Sequence, residues 1–165
     1  MNTAIRTAGT ESKNTGPGPT EEGVELSVLI TVHDLDDAGG VRELHAECTE
    51  ELSKTALQYE FVFVLEKEAL AVVDELLHLK EESEAFVKVI ALGRKYGSAT
   101  ALSVGVNHAA GETVLTIPSF LQVEPGAVTS LISEIESRDL VLLRRSDEGR
   151  GMVAKGIDRL LRLPL

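Results

Sequence analysis

The fold turns on Phe86–Ile117, "FVKVIALGRKYGSATALSVGVNHAAGETVLTI". It opens with a short apolar, β-branched run, Phe86–Leu92, which reads as a buried strand. Ala101, Leu102, Gly105, Val106 and Ala109 then recur on one helical face, with Ser98 as the expected N-cap. Thr113–Ile117 is apolar and β-branched again. Strand, helix, strand implies parallel pairing through a right-handed crossover.

The same alternation extends in both directions. Upstream lie an apolar run at Leu26–Val32 and a helical spacing of Val41, Leu44, Cys48 and Leu52. Next come a second run at Tyr59–Leu65 and a helix marked by Leu70, Val73 and Leu77. Downstream, Val128, Leu131, Ile132 and Ile135 mark a helix with Pro125 near its first turn, and Leu140–Arg144 reads as a fifth strand. The pattern predicts an open, doubly wound α/β sheet with helices on both faces. Residues 1–23, rich in Gly, Thr, Ser, Pro and Glu, lack apolar periodicity and read as a disordered tail ahead of one domain at 24–165.

Composition narrows the function. The chain has 165 residues, 43% of them hydrophobic but only 4% aromatic, so its core is built of Val, Leu, Ile and Ala. A formal net charge of -11 excludes nucleic acid as the expected partner and disfavours adhesion to anionic lipid. No apolar run reaches the ~20 residues of a membrane span. One cysteine, Cys48, rules out an internal disulfide and suits a reducing cytosol, so a cytoplasmic location is expected. Its place on an apolar face reads as core, with a reactive thiol as the alternative.

In such sheets ligands lie beyond the carboxyl ends of the strands, which directs attention to four loops. After the first run, His33 and Asp34 lead into Asp36 and Asp37. The acids read as helix-start residues or as ligand contacts, and His33 as a contact to a ring or a phosphate. After the second, Glu66 and Glu68 read as surface acids at a helix start, with ligand contact as the alternative. After the third, Arg94 and Lys95 precede Gly97 and Ser98; cations beside free helix-start amides suit a phosphate, against the plainer reading of solvated surface. Tyr96 stacks or packs. After the fourth stands Pro118-Ser119-Phe120, with one hydroxyl and no carboxylate. A diphosphate held through Mg or Mn needs oxygen ligands on the ion. No Gly-rich phosphate cradle, dinucleotide fingerprint, zinc spacing or nucleophile elbow competes, and His45, His78 and His108 are scattered along the chain.

In these runs the chain resembles family 2 glycosyltransferases, especially the dolichyl-phosphate mannose synthase-like branch. "LSVLITVHD" is similar to the family's first strand and "YEFVFVLEKE" to its Tyr-Glu strand and acidic turn. The quoted Phe86–Ile117 segment is similar to its Arg-Asn-x-Gly helix entry, Ala-x-x-x-Gly helix and following strand. "PSFLQVEP" stands where the family has Asp-Ala-Asp-Leu-Gln-x-Pro-Pro. The resemblance implies a GT-A-like (Rossmann-like) three-layer α/β/α sandwich with a mostly parallel sheet. It also implies a nucleotide-sugar donor and metal-assisted, inverting transfer to a lipid phosphate or another acceptor. Position by position, Leu65 and Glu66 stand for the nucleotide-contacting acids, and Pro118 and Phe120 for the two metal-motif acids. Arg94, Leu121 and Gln122 match, and Glu112 replaces an Asp.

The expected nucleotide contacts are therefore His33, Asp34, Glu66, Arg94, Lys95 and Ser98, with Pro118, Ser119 and Phe120 as degenerate metal-motif positions. No catalytic residue is assigned and no cofactor is expected; Mg or Mn would enter only if other acids replaced the metal motif. The chain ends at "GMVAKGIDRLLRLPL", about where the family's acceptor half begins. The expected function is a catalytically impaired, nucleotide-sugar-binding remnant or interaction module. The alternative is an active transferase, metal-independent or completed by another chain. Met152, Val153, Ile157, Leu160, Leu161 and Leu163 predict a C-terminal amphipathic helix that docks on its own domain, a second copy, another protein or a membrane surface.

Overall fold

The computed structural model describes residues 21–33, 40–119, 126–135, 141–145 and 152–156. Strand β1 (Leu26–Val32) leads to helix α1 (Val41–Leu52) and β2 (Tyr59–Leu65). A 3-10 turn, Lys67–Val72, runs into α2 (Val73–Glu82), followed by β3 (Phe86–Ala91), α3 (Ser98–His108) and β4 (Thr113–Pro118). Helix α4 (Ala127–Ile135), β5 (Val141–Arg145) and β6 (Met152–Gly156) complete the order. The described residues fall into two compact units, one drawn from 1–42 and 57–121 and the other from 43–56 and 122–165.

The first unit is the sheet. Its four strands are all parallel in the order β3-β2-β1-β4, with Leu29 opposite both Val62 and Thr116. Every residue of β1 is buried, and every residue of β2 after Tyr59. This explains why both read as nearly continuous apolar runs: a central parallel strand is covered on both faces. On one face Leu29, Val62, Val64 and Ile90 pack with Ala101 of α3. Burying a side chain of this size contributes roughly 1.5–3 kcal/mol. Gly105 lets α3 approach, because a Cβ there would overlap the Leu29 side chain. The other face carries Phe61 and Phe63, with ring centroids 6.2 Å apart.

Two polar residues inside these runs are held at the amino end of the sheet. Glu60 is fully buried. It accepts from Ser27 Oγ (2.6 Å) and the Ala110 amide (2.6 Å), and lies 3.0 Å from Lys88 Nζ. The Lys88 ammonium also donates to the His108 carbonyl at 2.7 Å. Residues 21–23, the end of the expected tail, form a turn in which Glu21 comes within 3.4 Å of Lys88.

The second unit holds the rest of α1, with α4 and an antiparallel hairpin of β5 and β6 that pairs Leu143 with Ala154. Glu51 accepts from the Gly126 amide (2.7 Å) and Thr129 Oγ1 (3.0 Å), tying down the start of α4. Two expectations are corrected here. The fifth strand does not extend the parallel sheet; it pairs antiparallel with β6, because the six residues between them are too few for a crossover, which needs a dozen or more. The expected C-terminal amphipathic helix does not begin at Met152: residues 152–156 are strand, so the apolar Met152-Val153 pair belongs to period-2 pairing. Ile157, Leu160, Leu161 and Leu163 lie outside the described residues.

Candidate functional site

Strand order reverses between β1 and β4, so the carboxyl ends of those strands flank the switch point where open α/β sheets bind ligands. The register places Pro118 beside Thr31. The loops after β1, β2 and β3 meet around one side chain, Glu66, which follows β2 directly.

Glu66 is fully buried. Its Oε1 accepts from the backbone amides of Tyr96 (2.5 Å) and Gly97 (2.6 Å). Its Oε2 lies 2.9 Å from Nδ1 of His33. Burial works against the charge, but the His33 contact and the two amides outweigh it and hold the carboxyl below the usual glutamate range. Backbone bonds brace the cluster: the Glu66 amide donates to the Val32 carbonyl and the Leu92 amide to the Leu65 carbonyl. Glu66 also precedes the 3-10 turn, yet its side chain caps nothing there. The expectation of a surface acid at a helix start is thus corrected. Glu66 follows a fully buried strand, and the amide pair facing it gives a charged group reason to remain inside.

Gly97, with φ +90°, is the N-cap of α3, and Ser98 is its first helical residue, exposed and not the cap. A side chain would strain that backbone, so glycine takes the cap position and a carboxylate from β2 supplies the acceptor. Of the amides expected to be free for a phosphate, that of Gly97 is accordingly engaged, together with that of Tyr96 before it. Arg94 and Lys95 are exposed, and the Arg94 guanidinium stacks over the Tyr96 ring at 4.8 Å. The structure therefore brings together His33, Glu66 and the 94–98 loop. Asp34 and Phe120 lie outside the described residues.

At the end of β4, Pro118 offers no side-chain oxygen. Ser119 is 3% exposed, and its Oγ has no hydrogen-bond partner among the described residues. One neutral hydroxyl does not make a site for a divalent ion that bridges a diphosphate, which takes several oxygens, carboxylates among them. Glu66 does not substitute, since both its oxygens are engaged. No group of three or more His, Cys, Asp or Glu side chains able to hold a metal occurs among the described residues. The described positions do not fit the Mg or Mn of the resembled family.

Sequence reasoning missed the inward roles of Glu60 and Glu66. One signal was present: each is a carboxylate inside, or directly after, an apolar run, where only a paired charge is tolerated.

No protein-family model matches the chain. An uncharacterized glycosyltransferase of Synechocystis sp. is 28% identical over 132 residues, 79% of this chain and 41% of that protein. The undecaprenyl-phosphate 4-deoxy-4-formamido-L-arabinose transferase of Erwinia tasmaniensis is 24% identical over 148 residues, 86% of this chain and 45% of that protein. The chain thus spans less than half the length of these relatives. Residues 1–349 of TarS from S. aureus superpose with a TM-score of 0.54 at 18% identity, covering 69% of this chain and 33% of that one. TarS has also been crystallised with UDP and with UDP-GlcNAc. Among the described residues no helix is long and apolar enough to cross a membrane. In sequence the chain is thus similar to glycosyltransferases, and its mostly parallel α/β fold is similar to that of a GT-A glycosyltransferase.

Proposed function

We propose that this domain binds a nucleoside diphosphate or nucleotide-sugar without a metal ion, and that metal-assisted transfer is impaired in it. One observation carries the reading: the stretch where the resembled family places its metal acids, from the last residue of β4 onward, reads Pro118-Ser119-Phe120 in sequence. The UDP and UDP-GlcNAc complexes of TarS support uridine nucleotides as the first ligands to try. Arg94 and Lys95 supply cations at the rim, where they face solvent. The lone thiol, buried in the domain, goes with a cytosolic location.

A second reading, an active transferase that is metal-independent or completed by another chain, is favoured by the likeness to relatives named as transferases. A lipid phosphate would then be the acceptor, by analogy with the undecaprenyl-phosphate transferase.

Thermal unfolding with UDP, with UDP-GlcNAc, and with each plus Mn or EDTA separates these readings. A ligand at 100 times its Kd adds about 2.7 kcal/mol of stability. The proposal expects that gain in EDTA, undiminished. Stabilisation that appears only with Mn would contradict it.

A further inference from the structure

We infer that Glu66 is a positioning residue: its carboxylate fills the amide cradle at the start of α3 and holds the Arg94–Tyr96 rim in place, and it does not touch the nucleotide. The inference rests on the nucleotide-binding reading above and gives Glu66 a different part from the one the family resemblance implies.

Three observations lead to it. Glu66 has no exposed surface, so a ligand at the rim cannot reach it without unpacking the end of β2. Its two oxygens already serve three partners, the amides of Tyr96 and Gly97 and Nδ1 of His33. A carboxylate that turned outward would leave both amides unsatisfied at a helix N-terminus, where the partial positive charge of the helix is concentrated. Finally, the segment it grips carries the exposed cations. Tyr96, fixed through its amide, is the ring on which Arg94 stacks, and Gly97 makes the turn into α3 with φ +90°. His33 extends the clamp to the end of β1, so one side chain sets the spacing of three loops.

The clamp also bears on ligand chemistry. The Tyr96 and Gly97 amides are satisfied from within, so these two do not receive a phosphate. A nucleotide would be held by the exposed Arg94 and Lys95 side chains and the Tyr96 ring, whose geometry Glu66 sets from behind.

The test uses the full chain, with UDP as the probe. Wild type, Glu66→Gln, Glu66→Ala and Arg94→Ala are compared by UDP titration and by hydrogen exchange and amide proton shifts of Tyr96 and Gly97. Glu66→Gln should exchange these two amides at least tenfold faster, move their protons upfield and weaken UDP binding about tenfold. Acetate should restore slow exchange and UDP affinity to Glu66→Ala, because it can enter the vacated cradle. Arg94→Ala should weaken UDP binding while leaving the two amides protected. Weaker binding in Glu66→Gln with unchanged exchange would place Glu66 on the nucleotide and overturn the inference. If wild type binds no UDP, the nucleotide-binding reading fails by itself. The amide data then still decide the clamp: faster exchange in Glu66→Gln supports it, and unchanged exchange removes it.

Discussion

Glu66 makes a carboxylate stable where nothing is exposed, and its pH behaviour follows from that. Its folded pKa lies below the ordinary value of about 4.3. The charged form is thus favoured by folding, and the resulting stability is present above the unfolded pKa and lost as pH falls through the lowered folded one. Wild type should exceed Glu66→Gln in stability at pH 7, and the gap should begin to narrow as pH falls through the unfolded value of about 4.3 and close only below the lowered folded one; urea melts across pH check this. Cys48 behaves in the opposite sense. Burial first, then the nearby Glu47 and Glu51, push its thiol up to about 12. A thiol reagent at pH 8 should leave the folded chain almost unlabelled and react promptly once urea unfolds it. Gly111 has no room to grow: a Cβ would lie 2.7 Å from the Ser27 amide nitrogen and 2.8 Å from the Leu26 carbonyl carbon. Those are backbone atoms, so Gly111→Ala should lower stability by about 1–3 kcal/mol in denaturant melts. The burial of Cys48 was legible in its apolar helical face, whereas the settings of Glu66 and Gly111 were not legible in residue type alone. A Glu after a strand reads as surface until the next loop is known to aim two amides at it.

At the scale of elements the sequence was informative wherever a strand is buried on both faces. The apolar runs at Leu26–Val32 and Tyr59–Leu65 coincide with β1 and β2, because a short, β-branched and mostly apolar run suits a strand covered on both faces. Helix starts were less readable. Ser98 carries the side chain that N-caps favour, but the turn needs φ +90° one residue earlier, and only Gly97 adopts it freely. The C-terminal hairpin was misread for a related reason: Met152 and Val153 satisfy helical and strand periods equally well until a partner strand is known. The start of α4 shows the same device as α3, a carboxylate from elsewhere in the chain. Glu51→Ala should speed hydrogen exchange over residues 126–135 and cost about 0.5–2 kcal/mol, the range for a lost N-cap. The turn after β4 permits a constructive test. Pro118→Asp combined with Phe120→Asp restores two carboxylates, and Mn should then tighten UDP binding at least tenfold; no change would count against that turn as the metal position.

For the molecule as a whole, an α/β sheet of order β3-β2-β1-β4 and the likeness to lipid-phosphate transferases explain why the chain reads as a GT-A-like domain. Fold does not fix chemistry; the side chains at the strand ends do. Here those ends carry a buried, fully engaged glutamate, an exposed Arg-Tyr stack and, at the end of β4, Pro118 followed by Ser119. On the proposed reading, uridine nucleotides bind this domain independently of divalent ions. Isothermal titration of the wild-type chain with UDP, once in EDTA and once in Mn, tests it most directly. Binding should be measurable in EDTA, with a Kd that agrees within about twofold between the two conditions, well under the 1.4 kcal/mol of a tenfold change. Binding that vanishes in EDTA, or tightens tenfold or more with Mn, would contradict it.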